Sequence, residues 1–195
     1  MVVAAPAIEI DKTERALAAR ARRGDTRAFA SLVERHMRRT YYAALGLVGS
    51  EEDAMDLSQE AFARAFRARR SLDPDRPFYA WLYTILRNLC FNFQRDRRAR
   101  RQKLDAASDW LADDAAARAT EQSPEQQALL SETRCQLMRA LEKLPDRERE
   151  ILVLKEFEEL RYREIAELLG IPIGTVMSRL YSARKKLAQA WEEGG

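Results

Sequence analysis

The stretch richest in chemistry-bearing side chains runs from Phe78 to Lys103, where aromatic residues alternate with cations and amides. The periodicity predicts a helix from Phe78 to about Arg98, with Phe78, Trp81, Leu82, Ile85 and Leu89 on its inward stripe. Its other faces carry Tyr79, Tyr83, Arg87, Asn88, Phe91, Asn92 and Arg95. That mixture suits single-stranded nucleic acid, because bases stack on aromatic faces while cations follow the phosphates. For each aromatic taken singly, packing against a neighbouring helix is the better account. Arg95, Arg97, Arg98, Arg100, Arg101 and Lys103 stand against one anion, Asp96. On spacing alone this run fits a nucleic-acid contact and a solvated arm equally well.

A second group lies in Leu160–Leu187. Ile165, Ala166 and Leu169 repeat at helical spacing, Gly170 stands where a helix end needs a left-handed residue, and Pro172 cannot prolong that helix. Val176, Leu180, Ala183 and Leu187 then form a second stripe. Thr175, Ser178, Tyr181, Ser182 and Lys185 point away from it, so the second helix has a polar face where a plain helical hairpin would have another apolar one. This is the pattern of a helix-turn-helix, whose second helix enters the DNA major groove.

Other side chains carry less. The one histidine, His36, follows Phe29 by seven residues on one helix face and reads as a partly buried structural residue. It has no partner that would make it a general base. Asp113-Asp114 could be imagined as metal ligands, but they sit in a stretch without a firm element. Gly-rich phosphate loops and paired carboxylates on a firm helix are absent. No catalytic residue, metal ligand or cofactor site is therefore expected. Cys90 and Cys135 lie far apart in no ligand spacing, which fits a reducing compartment.

The elements that position these groups read as helix almost throughout. Residues 1–12 form a tail without period. A short helix carrying Leu17 stops near Gly24, and a second runs from about Thr26 to Val48 and ends at Gly49. Ser50 caps a third, Glu51 to about Arg69, with Asp56, Gln59, Glu60 and Arg64 on or near its outer face. The loop Ser71–Pro77 is stiffened by two prolines. From Leu104 to Glu125 six anions stand against one cation, Arg118, with no apolar stripe. Residues 101–123 read as a flexible acidic linker, or else as an anionic strand lying in a partner's basic channel; sequence physics favours the spacer. Ser123-Pro124-Glu125-Gln126 restarts order, and Pro145 and Asp146 separate two further helices, the second with Ile151, Leu154 and Phe157.

The fold class is thus all-α: two small helical domains, 13–100 and 124–192, the second ending in the helix-turn-helix. A chain of 195 residues with 46% apolar and 33% charged side chains can bury two small cores. Its net charge of only +3 says little about partners. No run of about 18 apolar residues exists, and the start lacks a signal-peptide pattern, so a cytoplasmic protein without membrane insertion is expected.

Taken together, three motifs resemble the extracytoplasmic-function (ECF) group of sigma factors, the short branch of the sigma-70 family, over about Ala18 to Trp191. The first is Asp56-Leu57-Ser58-Gln59-Glu60-Ala61-Phe62, similar to the family's core-polymerase-binding motif. The second is Phe78…Trp81-Leu82-Tyr83…Ile85…Arg87-Asn88, similar to its promoter-melting helix. The third is Leu144-Pro145…Arg149-Glu150…Glu164-Ile165-Ala166…Gly174-Thr175-Val176…Ser178-Arg179-Leu180, similar to its −35 reader.

The resemblance implies a sigma factor that binds core RNA polymerase and directs initiation at −35/−10 promoters. It also implies a stress or envelope response and an anti-sigma partner. Asp56, Leu57, Gln59, Glu60 and Phe62 would dock on the clamp helices of the largest subunit, and the second domain on the flap. The loop Ser71–Pro77, through Asp73 and Arg76, would hold a flipped −10 base, and flipping costs a few kcal/mol that pocket contacts must offset. Tyr83, Arg87, Asn88, Asn92, Arg95 and Arg98 would hold neighbouring melted bases and phosphates. Thr175, Ser178, Arg179, Tyr181, Ser182, Arg184 and Lys185 would line the −35 major groove. Met177 and Ser182 depart from the basic residues frequent in the family. Two other classes compete on the residues alone: a stand-alone helix-turn-helix regulator, and a nucleic-acid-modifying enzyme.

Overall fold

A computed structural model of the chain describes residues 11–107, 133–134 and 136–193. The N-terminal tail and most of the acidic stretch that the sequence reads as linker lie outside the described residues. Among those described, every regular element is a helix or helical turn.

Helix α1 (Lys12–Arg22) starts at Asp11, whose side chain accepts a hydrogen bond from the Thr13 amide at 3.0 Å. Helix α2 (Thr26–Val48) begins likewise at Asp25, which accepts from the Ala28 amide at 3.0 Å. Each cap satisfies one amide that the first turn leaves without a partner. Gly49 ends α2 at φ 80, a conformation that costs glycine little. Helix α3 (Glu51–Arg67) is capped by Ser50 and carries Glu51, Glu52 and Asp53 in its first turn, where acidic groups favour the dipole. A 3-10 turn (Arg69–Ser71) and the proline loop lead to α4 (Phe78–Ala107). The N-terminus of α4 is capped from far away: Glu14 on α1 accepts from the Phe78 amide at 3.0 Å. The other carboxylate oxygen of Glu14 meets His36 Nε2 at 3.2 Å, so the histidine serves structure.

These four helices close over Leu32, Leu72, Phe78, Leu82 and Leu86, with Phe29 edge-on to Phe66 and Phe78. Ala43, Ala44, Ala54, Ala61 and Ala65 are buried on α2 and α3, so small side chains line the inner faces of both helices.

The C-terminal group comprises α5 (helical residues 136–142), α6 (Asp146–Leu152), a π-helical turn (Val153–Phe157), α7 (Tyr162–Leu169) and α8 (Ile173–Glu192). Gly170 ends α7 at φ 63, and the Ile171 amide bonds back to the Ala166 carbonyl at 3.0 Å, as the turn of a helix-turn-helix requires. Leu141, Leu144, Ile151, Leu154, Ile165, Val176, Leu180 and Ala183 form its buried interior.

The two groups share one continuous apolar core, because α2 packs against α6 and the π-helical turn. Gly46, inside α2, lies under Val153; a Cβ there would sit 2.7 Å from Val153 Cγ2. Glycine inside a helix costs about 0.5–1 kcal/mol relative to alanine, and here the close approach explains it.

Several elements differ from the sequence reading. Helix α4 runs nine residues past Arg98, because Arg97 and Arg98 are paired with Glu142 and Asp146 and the following residues are good helix formers. Tyr79 and Tyr83, assigned to outward faces, are 5% and 1% exposed. The C-terminal helices cover them. The helix that the sequence places after Asp146 is α-helical only to Leu152 and then continues as the π-helical turn, at whose end Phe157 is 37% exposed.

Candidate polymerase-docking and promoter-DNA surfaces

The α3 edge is set by helical periodicity. Ala54, Ser58, Ala61 and Ala65 face inward, so Asp56 and Gln59 are exposed, and Leu57, Glu60 and Phe62 are half-buried at the margin. Arg64 Nε bonds Glu60 Oε1 at 2.7 Å and Arg67 Nη2 approaches it at 3.3 Å. The Arg64 bond holds the Glu60 carboxyl below the usual glutamate range, so it remains a fixed negative charge. A rigid, acidic edge of this kind suits a basic or amide-rich docking partner.

The proline loop places Asp73 and Arg76 in the open. Asp73 accepts from the Asp75 amide at 3.0 Å, and Arg76 lies 3.6 Å from its carboxylate. On α4, Asn88, Asn92 and Arg95 are exposed. Phe91, Asn92, Arg95 and Arg98 line one groove, closed on one side by Asp146 of α6. This groove brings three of the sequence-assigned DNA residues together.

Tyr83 and Arg87 sit differently. Both reach Glu150 of α6: the Tyr83 hydroxyl donates to Oε1 at 3.2 Å, and Arg87 Nη2 donates to Oε2 at 3.2 Å with Nε on the other oxygen. Burial pushes the Glu150 carboxyl upward in pKa, and the Arg87 bond opposes that shift. Burial and the neighbouring carboxylate also push the Tyr83 phenol well above its ordinary value, so it remains a neutral donor. Arg98 makes a bidentate pair with Asp146, at 2.5 and 3.1 Å. The Arg87 guanidinium also lies 4.6 Å from the centre of the Phe91 ring.

On α8, Tyr181 is 75% exposed and Ser178 and Lys185 are exposed, with Thr175 and Arg179 half-buried beside them. Ser182 turns inward and donates to Glu148 at 2.9 Å. Arg184 pairs with Glu156 at 2.7 Å, and Lys186 with Glu148 at 2.7 Å. Met177 is 53% exposed and Ile173 is 42% exposed, so the outward face of α8 is apolar and aromatic as much as cationic.

The residues that join the two helical groups escaped the sequence reading. Arg149 donates to the Leu47 carbonyl at 2.8 Å and the Glu142 carbonyl at 2.7 Å, and Arg97 pairs with Glu142 at 2.8 Å. Arg39 pairs with Glu158 and covers the Tyr79 ring at 3.7 Å. Gly46 inside the apolar end of α2, and the charged run Asp146–Glu150 set directly before the apolar run Ile151–Leu154, were the available signals, but neither names its partner. Cys90 is buried, which pushes its thiol up to about 12 and leaves it unreactive. Among the described residues, no group of three or more His, Cys, Asp or Glu side chains could hold a metal ion.

An acidic helix edge, an aromatic-basic helix and a helix-turn-helix thus lie on one chain, a combination that suits promoter recognition. Family comparison agrees: residues 32–100 match sigma-70 region 2, and residues 136–187 match sigma-70 region 4. The sigma-H factor of Pseudomonas aeruginosa is 34% identical over 177 residues, covering 89% of this chain and 91% of that protein. The ECF sigma-E factor of Escherichia coli K12 is also 34% identical, covering 90% and 92%. Among solved structures, CnrH bound to the cytosolic domain of CnrY aligns at TM-score 0.69 and 31% identity, covering 94% of this chain and 100% of that one. The sigma factor RpoE bound to the anti-sigma factor NepR, from Bartonella quintana, aligns at TM-score 0.62 and 26% identity, covering 84% and 96%. The chain belongs to the sigma-70 family of RNA polymerase sigma factors, in its ECF group.

Proposed function

We propose that this sigma factor docks on core polymerase through the outward edge of α3, melts and holds −10 DNA with α4 and the proline loop, and reads the −35 major groove with α8. On this reading 13–100 is the docking and −10 unit, 101–123 the tether and 124–192 the −35 unit. The observation that carries it is the α3 edge: Asp56 and Gln59 stand exposed on the same helical group as α4, so docking there delivers the melting helix to the promoter. Tethering both readers to one polymerase multiplies their effective concentrations, which gives specificity without a large interface on either. The protein performs no chemistry itself and works in the cytoplasm, where polymerase is. CnrH and RpoE are each seen with a partner, CnrY and the anti-sigma factor NepR. We infer an anti-sigma factor for this chain as well.

The docking assignment is tested with Gln59→Ala combined with Glu60→Ala. Pull-down of core polymerase should be lost while the thermal transition stays in place. Normal pull-down by a folded double variant would remove α3 as the docking element.

A further inference from the structure

We infer that α8 reads its −35 duplex through thymine methyl groups, with Ile173, Met177 and Tyr181 as the residues that set sequence preference. The inference rests on the assignment of α8 to the −35 groove made above, and it names what α8 recognises there.

Three large apolar or aromatic side chains stand in the open on α8: Ile173 is 42% exposed, Met177 53% and Tyr181 75%. They follow one another at four-residue spacing, so successive members lie about one helical turn apart on one side of the helix. Val176, Leu180 and Ala183 supply the buried stripe of α8, so the core closes without the exposed three. A contiguous exposed apolar row marks a contact surface. The polar side chains beside it are already engaged. Ser182 donates to Glu148 at 2.9 Å, Arg184 pairs with Glu156 at 2.7 Å, and Ser178 donates to the Thr175 carbonyl at 3.2 Å. Each of these must give up a bond within the chain before it can meet a base edge. Ile173 and Met177 give up none.

The major groove offers such a row one apolar group, the C5-methyl of thymine; the other features of the base edges there are donors and acceptors. The N-terminal residues of a recognition helix are the ones that reach base edges, and Ile173 is the first residue of α8. Charge selects DNA over an apolar protein surface as the occupant. Lys185 is exposed one turn after Tyr181 and continues the row. Arg163 is exposed on α7, the helix that crosses the backbone in a helix-turn-helix. Cations therefore flank an apolar row, which fits a groove with anionic rims and methyl groups on its floor.

The test uses the full-length protein bound to core polymerase. A promoter is taken from a run-off selection, and each thymine of its upstream block is replaced in turn by 2′-deoxyuridine. That change deletes the methyl group and keeps the base pairing and the other edge atoms. At least one replacement should raise the half-saturating promoter concentration about fourfold, the equivalent of the ~0.8 kcal/mol that burying one methyl group contributes. The comparison is repeated with Ile173→Ala, Met177→Ala and Tyr181→Ala, each at an exposed position. At least one of these should bind the thymine and deoxyuridine promoters alike at a position where the unsubstituted protein tells them apart. An upstream block without thymine, or equal affinities at every replaced position, would overturn the inference and leave α8 as a reader of other edge groups. A methyl effect of undiminished size in all three variants would also overturn it, because the preference would then lie in the DNA or in other side chains. Selected promoters with no upstream block at all would overturn the assignment of α8 to the −35 groove and the inference with it.

Discussion

Glu14 joins three elements: it lies on α1, meets His36 of α2 at 3.2 Å and caps α4 through the Phe78 amide at 3.0 Å. Glu14→Ala should therefore destabilise the chain by about 1–2 kcal/mol, read from urea denaturation. The His36 bond lowers the Glu14 pKa below its ordinary 4.5. A depressed carboxyl contributes stability above that value and loses it as pH falls through the folded pKa. The gap between native and Glu14→Ala proteins should accordingly be full near neutral pH and shrink below about pH 4.5; a gap that widens on acidification would contradict the pairing. On α8, Lys185 is exposed and Arg184 is engaged by Glu156. Lys185→Ala should weaken promoter binding across sequences and lower the salt slope by about 1, as loss of one phosphate contact does. An unchanged slope would remove Lys185 from the interface. At this scale the sequence was legible in residue type more than in partner. The outward positions Asp56, Gln59, Ser178 and Tyr181 follow from helical period, whereas Ser182 was assigned to DNA and turns to Glu148, thirty-four residues earlier.

Local signals fixed the helices well where caps and period agreed. Helix α2 spans Thr26–Val48, as the Gly49 stop and the apolar stripe require. Gly170 occupies φ 63 with nothing within 4 Å of a Cβ, so its need is conformational alone. Gly170→Ala should cost about 1–2 kcal/mol by forcing an L-residue into the left-handed region, seen as a lower thermal midpoint with the folded spectrum unchanged; no shift would mean the turn can adopt another geometry. Helix α4 shows where such signals fail. Its apolar stripe ends near Leu89, yet the helix persists to Ala107. Tertiary pairs from Arg97 and Arg98 to Glu142 and Asp146, forty-five or more residues away, support that extension, and no window along the chain contains them.

For the whole molecule, the two family segments and their order were legible in the sequence, and their mutual contact was not. The junction depends on Glu150 finding Tyr83 and Arg87 across more than sixty residues and on the missing side chain at Gly46. No periodicity encodes a meeting of that kind. Promoter-directed initiation is a property of polymerase, protein and DNA together. Run-off transcription from a promoter library, with purified core polymerase and this protein, tests it most directly. Transcripts are expected only when the protein is added, all from templates sharing two fixed blocks separated by a constant spacer, and none with Gln59→Ala/Glu60→Ala. Transcripts equally abundant without the protein, or enriched templates holding no such pair of blocks, would contradict it.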